Sequence, residues 1–442
     1  MDADAIVVGG GLSGAVAGLL LAKLGHRVVR MAPEGTAPLR LHVLLPAGAQ
    51  GLLRSLGLEA GLANAVPVRR SLVQGPPGSE SLDPGGPLWL QVCEAELVAA
   101  ADAEFAKLGG LRRVVGVDRV EGTSVFVGCQ ELRAPVLLVG VAGLLGEGPR
   151  PVWPVARVTV QALRGVPAAL VPTGTHELGV HATGWTWALR QDDAVVQVAG
   201  TEGLGWREHF GRRWAWDGPE VGASMEAGVW LSRPGPMADV GVLPIGRAAF
   251  GVSPLSSQGV AQGLGTAQLA ASVANSMIRR PDDEAALRAW YRRSVALRAQ
   301  RVRQAGAATV AAATAYGTPF WADRAVDVDD GDPVVDQSAH RAAAVAALHG
   351  AGRFFDTTAE LVEPMGRREL QPNGAVIRWA DAVAVEGGLP LPQAEWAQVE
   401  AFARGFAEGA TLGAVLSGSD AAQRQQARAF SKLVEHGILR LA

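Results

Sequence analysis

The sequence predicts an α/β protein in which a doubly wound, Rossmann-like domain carries an inserted antiparallel sheet and a C-terminal helical module. Three observations predict this architecture. The chain opens with a short apolar run, a glycine-rich turn and an apolar helix, which is the order of a βαβ unit. Short alternating runs between about residues 155 and 235 are typical of antiparallel strands. Helical periodicity returns over residues 393–436 before a terminal apolar run.

The boundaries of the opening βαβ unit are predicted from its residues. Ala5 to Val8 is a buried strand, Gly9 to Gly14 a turn, and Ala15 to Leu24 a helix that Gly25 ends. Arg27 to Met31 is then the second strand. This order places the glycine turn between a strand and a helix.

The remaining elements follow from the same periodicities. They are, in chain order, a helix over 47–60, a surface connection over 74–87, a helix over 94–107, strands over 111–120, 123–128 and 136–139, four strands within 157–199, a strand over 241–246, and helices over 259–279 and 283–314. We therefore expect a discontinuous nucleotide-binding domain (1–150 and 240–330), a substrate-binding sheet (151–239) and a mostly helical, winged-helix-like module (331–442).

Composition excludes several classes of protein. The 442 residues are 48% hydrophobic and only 19% charged, with a net charge of −3. Nucleic acid or an anionic membrane surface would favour a basic surplus, so neither is expected as a partner. The uncharged stretch 5–22 follows Asp2 and Asp4 where a signal peptide would carry cations. Two cysteines cannot build a disulfide framework, which favours a cytoplasmic location.

The turn from Gly9 to Gly14 satisfies the pattern G-x-G-x-x-G. In that pattern Gly9 permits the tight turn and Gly11 lets a pyrophosphate approach the backbone. Gly14 allows the helix to pack on the strand, so that its first amides face the phosphates. The motif predicts dinucleotide binding, although a glycine-rich turn in another α/β fold would also satisfy it.

Four segments in the right order resemble FAD monooxygenases and their halogenase and geranylgeranyl-reductase relatives. Leu243 to Phe250, followed by Ser253 to Gly259, is similar to their second flavin motif. Leu138 to Leu145 resembles their Val-Gly-Ala-Asp-Gly segment, and Arg40 to Pro46 the stretch that runs beneath the flavin. The resemblance implies a GR2-type FAD-binding domain over residues 5–280.

Two further segments narrow the branch. Gly184 to Trp187 resembles the Gly-Trp-x-Trp segment of tryptophan halogenases, and Pro319 to Arg324 a Phe-Trp…Arg segment of halogenase-like proteins. Halogenases need an early lysine, but the nearest lysines here are Lys23 and Lys107. The better resemblance is to the flavoproteins that mature tryptophylquinone cofactors.

This resemblance implies an FAD-dependent monooxygenase that hydroxylates an aromatic ring, with NAD(P)H as reductant and a tryptophan-bearing precursor polypeptide as substrate. His42 is the candidate for moving a proton, because histidine titrates near neutral pH. The residues expected to bind FAD are Gly9, Gly11, Gly14, Glu34, Arg40, Gly246, Arg247, Pro254 and Gly259.

Four positions depart from the family pattern. The acid that binds the ribose is Ala32, with Glu34 as a possible substitute, and the Asp of the Ala-Asp-Gly segment is Ala142. An arginine near the flavin phosphates is replaced by Glu94, and an aspartate near the ribityl chain by Arg247. Each lost charged hydrogen bond is worth about 1.5–3 kcal/mol, so we expect weak FAD binding. We also expect Glu94 and Arg247 to pair, or Arg247 to contact the pyrophosphate.

The sequence leaves the role of the tryptophans and the type of function open. The tryptophans at 185, 187, 206, 214, 216 and 230 line an aromatic pocket or pack a core. The histidines show no metal-ligand spacing, so no metal site is expected. The alternatives to protein hydroxylation are a small-molecule aromatic hydroxylase or reductase of natural-product metabolism, and a non-catalytic flavoprotein acting as a binding or chaperone subunit.

Overall fold

A computed structural model describes residues 3–32, 42–68, 70–74, 89–145, 150–151, 156–164, 171–191, 194–201, 220–229, 232–233, 241–252, 258–324, 359–361, 366–371, 374–379 and 439–441. The chain divides into two compact units. One comprises Met1–Ala274 and Arg298–Val328, and the other comprises Asn275–Leu297 and Asp329–Ala442. The domain boundaries inferred from the sequence remain a prediction.

The strands of the first unit are β1 (Ala5–Val8), β2 (Val28–Ala32), β3 (His42–Pro46), β4 (Val66–Val68), β5 (Arg70–Gln74), β6 (Trp89–Cys93), β7 (Leu111–Val114), β8 (Arg119–Glu121), β9 (Ser124–Val127), β10 (Gln130–Arg133), β11 (Val136–Val139), β12 (Arg150–Pro151), β13 (Ala156–Arg164), β14 (Thr175–His181), β15 (Gly184–Gln191), β16 (Ala194–Thr201), β17 (Glu220–Val229), β18 (Ser232–Arg233) and β19 (Val242–Pro244). The helices are α1 (Leu12–Lys23), α2 (Ala47–Ser55), α3 (Glu94–Lys107), α4 (Gly259–Arg279), α5 (Glu284–Ala313) and α6 (Pro319–Ala322).

The centre of the first unit is a five-stranded parallel sheet in the order β19-β11-β1-β2-β7. Its central strands β1 and β11 are apolar and buried on both faces, as a covered parallel sheet requires. Side chains on one face, among them Ile6, Val8 and Leu137, form a buried cluster with Val125 of the β8–β9–β10 meander. The predicted Rossmann-like α/β fold with a parallel central sheet is confirmed.

The second large sheet is six-stranded, in the order β17-β13-β16-β15-β14-β5. The four strands predicted within 157–199 form its middle and are antiparallel to one another. The edge strand β5 lies parallel to β14, with Arg70 opposite Thr175. The sequence did not predict this strand, because a parallel partner about a hundred residues away leaves no hairpin signal.

A third sheet, in the order β3-β6-β4, positions one candidate residue. β3 and β6 are antiparallel, and their register places His42 opposite Cys93. Cys93 is the last residue of β6, and α3 starts with the next residue, Glu94. The start of β3 and the start of α3 are therefore neighbours.

The second unit includes the end of α4 and the first part of α5, and its described elements beyond residue 329 are strands. β20 (Ala359–Leu361) pairs with β23 (Leu439–Leu441), and β21 (Gly366–Gln371) forms a hairpin with β22 (Gly374–Trp379). The predicted terminal strand is confirmed as β23, whereas the helices predicted over 393–436 lie outside the described residues. In the described ranges, no helix combines the length and the apolar character that crossing a membrane would need.

Candidate cofactor site

The glycine turn joins the end of β1 to the start of α1 and requires glycine at position 14. A Cβ atom built on Gly14 would lie 2.4 Å from the Gly9 carbonyl oxygen, closer than real Cβ contacts come. At Gly11, by contrast, the described atom nearest to a built Cβ is Oε1 of Glu94, at 3.8 Å, an ordinary contact distance. Gly14 is thus needed for helix–strand packing, whereas the backbone at Gly11 is approached by the Glu94 carboxylate.

Beneath the turn lies a buried cation that the sequence did not single out. Arg30 of β2 is 1% exposed, and it donates from Nε to the Gly9 carbonyl at 3.2 Å and from Nη2 to the Gly10 carbonyl at 3.0 Å. Its Nη1 pairs with Asp102 of α3, which Arg112 also contacts at 3.2 Å. Burial, with a smaller contribution from Arg112, lowers the pKa of Arg30 to about 10, so the guanidinium is still charged at neutral pH.

Glu94 lies directly against the turn. Its Oε1 accepts a hydrogen bond from the backbone amide of Leu12, the first residue of α1, at 3.4 Å. Among the described residues, Glu94 does not form the expected ion pair with Arg247. Its carboxylate instead occupies the amide-rich end of α1.

His42 is held by a buried glutamine. Gln91 is 1% exposed, and its Nε2 lies 2.5 Å from the Arg190 carbonyl and 2.8 Å from Nδ1 of His42. A carbonyl can only accept, so the Gln91 nitrogen donates to it and directs its second hydrogen at His42 Nδ1. Nδ1 is then an acceptor, and neutral His42 carries its proton on Nε2.

The second predicted segment comes to the same turn. Gly246 follows β19 with a φ of +56°, and its amide donates to Oγ1 of Thr266 in α4 at 2.9 Å. A Cβ on Gly246 would lie 2.9 Å from Oγ of Ser13, and one on Gly263 would lie 2.6 Å from the same atom. The two glycine-rich segments therefore meet around Ser13 of α1.

The other predicted site residues fall in different places. Arg247 is exposed in the 3₁₀ turn Gly246–Ala248. Gly259 starts α4, and a Cβ built on it would meet no atom of the described residues within 4 Å. Ala32 is buried at the end of β2, the position at which the sequence resemblance implies a ribose-binding acid. Glu34, Arg40 and Pro254 lie outside the described residues.

The two tryptophan-containing segments pack against each other. Trp185 and Trp187 of β15 belong to one buried cluster with Phe320 and Trp321 of α6. Trp321 Nε1 donates to the His181 carbonyl at 2.6 Å. For these two β15 residues the core reading is therefore the correct one, while Trp206, Trp214, Trp216 and Trp230 lie outside the described residues.

His176 of β14 is buried between two indole rings. Its ring centroid lies 6.3 Å from that of Trp89 and 5.4 Å from that of Trp187. Burial disfavours the imidazolium and lowers the pKa of His176 to about 4. In the folded protein this side chain is neutral above that pH.

We therefore expect stability to fall on acidification. The unfolded state, with a histidine pKa near 6.5, binds more protons than the folded state between pH ~6.5 and ~4, so stability is lost as pH falls through this window. The slope from this residue is at most about 1.4 kcal/mol per pH unit. Urea unfolding of the wild type and of His176→Gln from pH 7 to 4.5 checks this. An equally steep decline in both proteins would contradict it.

Within the described ranges, no three His, Cys, Asp or Glu side chains cluster closely enough to hold a metal ion. The described chemistry is concentrated at the carboxyl edge of the parallel sheet, where Gly9, Gly11, Gly14 and Gly246 come together. Glu94 and, through the β3–β6 register, His42 are near the same place.

A parallel sheet with a glycine turn at its carboxyl edge defines a Rossmann-like α/β protein. Several solved structures have a similar fold. The peptidyl tryptophan dihydroxylase QhpG, essential for tryptophylquinone cofactor biogenesis, aligns with a TM-score of 0.66 and 21% identity over 99% of this chain and 100% of that chain. The flavin-dependent halogenase CmlS aligns with a TM-score of 0.72 and 18% identity over 100% and 96%.

Aklavinone-11 hydroxylase, solved with FAD and aklavinone, aligns with a TM-score of 0.57 and 16% identity over 74% of this chain and 71% of that chain. No protein-family model and no curated protein sequence matches the chain. The chain therefore has the fold of flavin-dependent halogenases and hydroxylases, and the resemblance predicted from the sequence is confirmed as a likeness of fold.

Proposed function

We propose that this protein is an FAD-dependent monooxygenase that hydroxylates an aromatic ring, with a tryptophan side chain of a precursor polypeptide as its substrate. NAD(P)H would be the reductant and the cytoplasm the location. The observation that carries the proposal is the convergence of the Gly9–Gly14 turn and the Gly246 segment around Ser13. The same two segments are the flavin motifs that the sequence resembles.

The residues present fit a dinucleotide in their backbone geometry. The backbone of Gly11 and the first amides of α1 would hold the pyrophosphate, and the Gly246 turn would lie along the chain toward the flavin. When bound, FAD would supply the oxygen chemistry. His42, which Gln91 orients through Nδ1, would be the residue that moves a proton to or from the substrate or cofactor.

The positions of the lysines favour hydroxylation over halogenation. Lys23 is the last residue of α1, about 18 Å along the helix from the glycine turn. Lys107 is the last residue of α3, about 20 Å from Glu94, and it pairs with Glu104. Both ammonium groups therefore lie at helix ends remote from the turn.

The polypeptide substrate is supported by the full-length likeness to QhpG, a peptidyl tryptophan dihydroxylase. A small aromatic molecule is the alternative substrate, since aklavinone-11 hydroxylase shares part of the fold. Two residues favour the remaining alternative, a non-catalytic binding subunit. Ala32 lacks the acid expected to bind the ribose, and Glu94 adds a negative charge beside the expected cofactor.

The first test is cofactor binding. Titrating the purified protein with FAD should quench flavin fluorescence and raise the thermal midpoint, because a ligand that binds only the folded state stabilises it. Absence of both effects at saturating FAD would favour the non-catalytic subunit.

The second test is turnover. The protein, supplied with reduced flavin, O₂ and excess bromide, should add oxygen mass to a tryptophan-bearing peptide and not to free tryptophan. If oxygen is added only to free tryptophan, the substrate is a small molecule and not a polypeptide. A brominated product would contradict hydroxylation.

A further inference from the structure

A carboxylate from the first turn of α3 reaches the amino end of α1. Glu94 is the first residue of α3, and its Oε1 accepts from Leu12, the first residue of α1. The amino end of a helix carries a partial positive charge and unsatisfied amides, so it favours an anion. Here the anion is already part of the chain.

The same amides are those that a dinucleotide phosphate would use. Gly11 has no side chain that would cover these amides. A Cβ built at this position would lie 3.8 Å from the Glu94 carboxylate. A pyrophosphate in this place would meet a like charge and compete for the Leu12 amide.

We propose that Glu94 is an internal competitor of the cofactor pyrophosphate: its carboxylate stabilises the turn in the empty protein and must leave the amino end of α1 when a dinucleotide binds. This rests on the proposed FAD site. It makes Glu94 the residue that sets cofactor affinity, so the protein would exchange FAD rather than retain it.

The test compares Glu94→Gln with the wild type, using FAD, ADP and adenosine as probes. Removing the charge while keeping the shape should tighten FAD and ADP binding by on the order of tenfold. Adenosine, which has no phosphate, should bind both proteins equally. Glu94→Ala should show the same gain in affinity for FAD and ADP. This second variant keeps the proposal testable if Glu94→Gln fails to fold.

The matched control is Glu96→Gln. Glu96 lies in the same first turn of α3, but its Oε2 accepts from Asn64 Nδ2 at 3.3 Å and not from α1. Its replacement should leave FAD and ADP affinity unchanged. If Glu96→Gln gained as much affinity as Glu94→Gln, the effect would come from the overall charge of the first turn of α3, and the proposal would be overturned.

A second readout is the stability of the empty protein. Glu94→Gln should lower the thermal midpoint without FAD, because the charged contact to Leu12 is weakened, and should increase the rise that FAD produces. If Glu94 only stabilised the fold, Glu94→Gln would lower both the thermal midpoint and the affinity for FAD.

The outcomes also separate this inference from the proposed function. Wild-type FAD binding with no gain in the Glu94 variants overturns the inference alone. FAD binding by the variants but not by the wild type supports it. No FAD binding by any of the proteins overturns both.

Discussion

Replacing Arg30 with methionine should destabilise the protein by about 3 kcal/mol or more, because it breaks a buried ion pair and leaves Asp102 without its closest partner. Two further acceptors, the Gly9 and Gly10 carbonyls, lose the donors that fix them. The glycine turn should loosen as a result, and FAD affinity should fall with stability. Urea unfolding and FAD titration measure the two effects.

The control for this change is Arg27→Met. Arg27 begins the same segment of sequence, but its side chain is 65% exposed and pairs with Asp4 at 2.9 Å. Exposed pairs contribute about 0–1 kcal/mol, so this variant should stay within that range and should bind FAD normally. Equal losses in the two variants would show that the contacts of Arg30 with the turn have no special importance.

Replacing Gly14 with alanine should abolish dinucleotide binding. The new Cβ would lie 2.4 Å from the Gly9 carbonyl oxygen and 3.0 Å from its carbon, and both are backbone atoms that cannot rotate away. The helix must move from the strand, which changes the turn and costs about 1–3 kcal/mol, as overpacking does. Loss of FAD-induced quenching and a lower urea midpoint would be observed together.

Gly51→Ala is the matched control for that substitution. Gly51 lies inside α2, and a Cβ there would meet no atom of the described residues within 4 Å. Alanine is the better helix former by about 1 kcal/mol, so this variant should be as stable as the wild type or more stable. Retention of FAD binding by Gly14→Ala would show that the turn is not the cofactor site.

The elements of the fold were largely predictable because periodicity reports burial. α3 and α4 begin and end where the sequence predicts, and β11 covers the predicted run Val136–Val139. The glycine turn was equally visible, since G-x-G-x-x-G has a meaning only between a strand and a helix. β5, which pairs in parallel with a distant strand, left no such local signal.

The site was predictable only in part. The segment Arg27 to Met31 shows two arginines in an apolar strand, and nothing in its pattern tells the exposed Arg27 from the buried Arg30. Glu94 was recognised as a reversed charge, but its contact with the Leu12 amide was not predicted, and the alternative that Arg247 contacts the pyrophosphate stays a prediction. His42 was a candidate without an orientation until Gln91 supplied one.

The sequence by itself determined the fold class, the order of the elements and the two glycine segments that would hold a dinucleotide, because each depends on residues close together in the chain. Only the tertiary structure decided which distant groups meet. Glu94 reaches Leu12 across 82 residues, Arg30 reaches Asp102 across 72, and Trp321 reaches the His181 carbonyl across 140. The physical reason is that such contacts are set by strand order and register, which local periodicity does not encode.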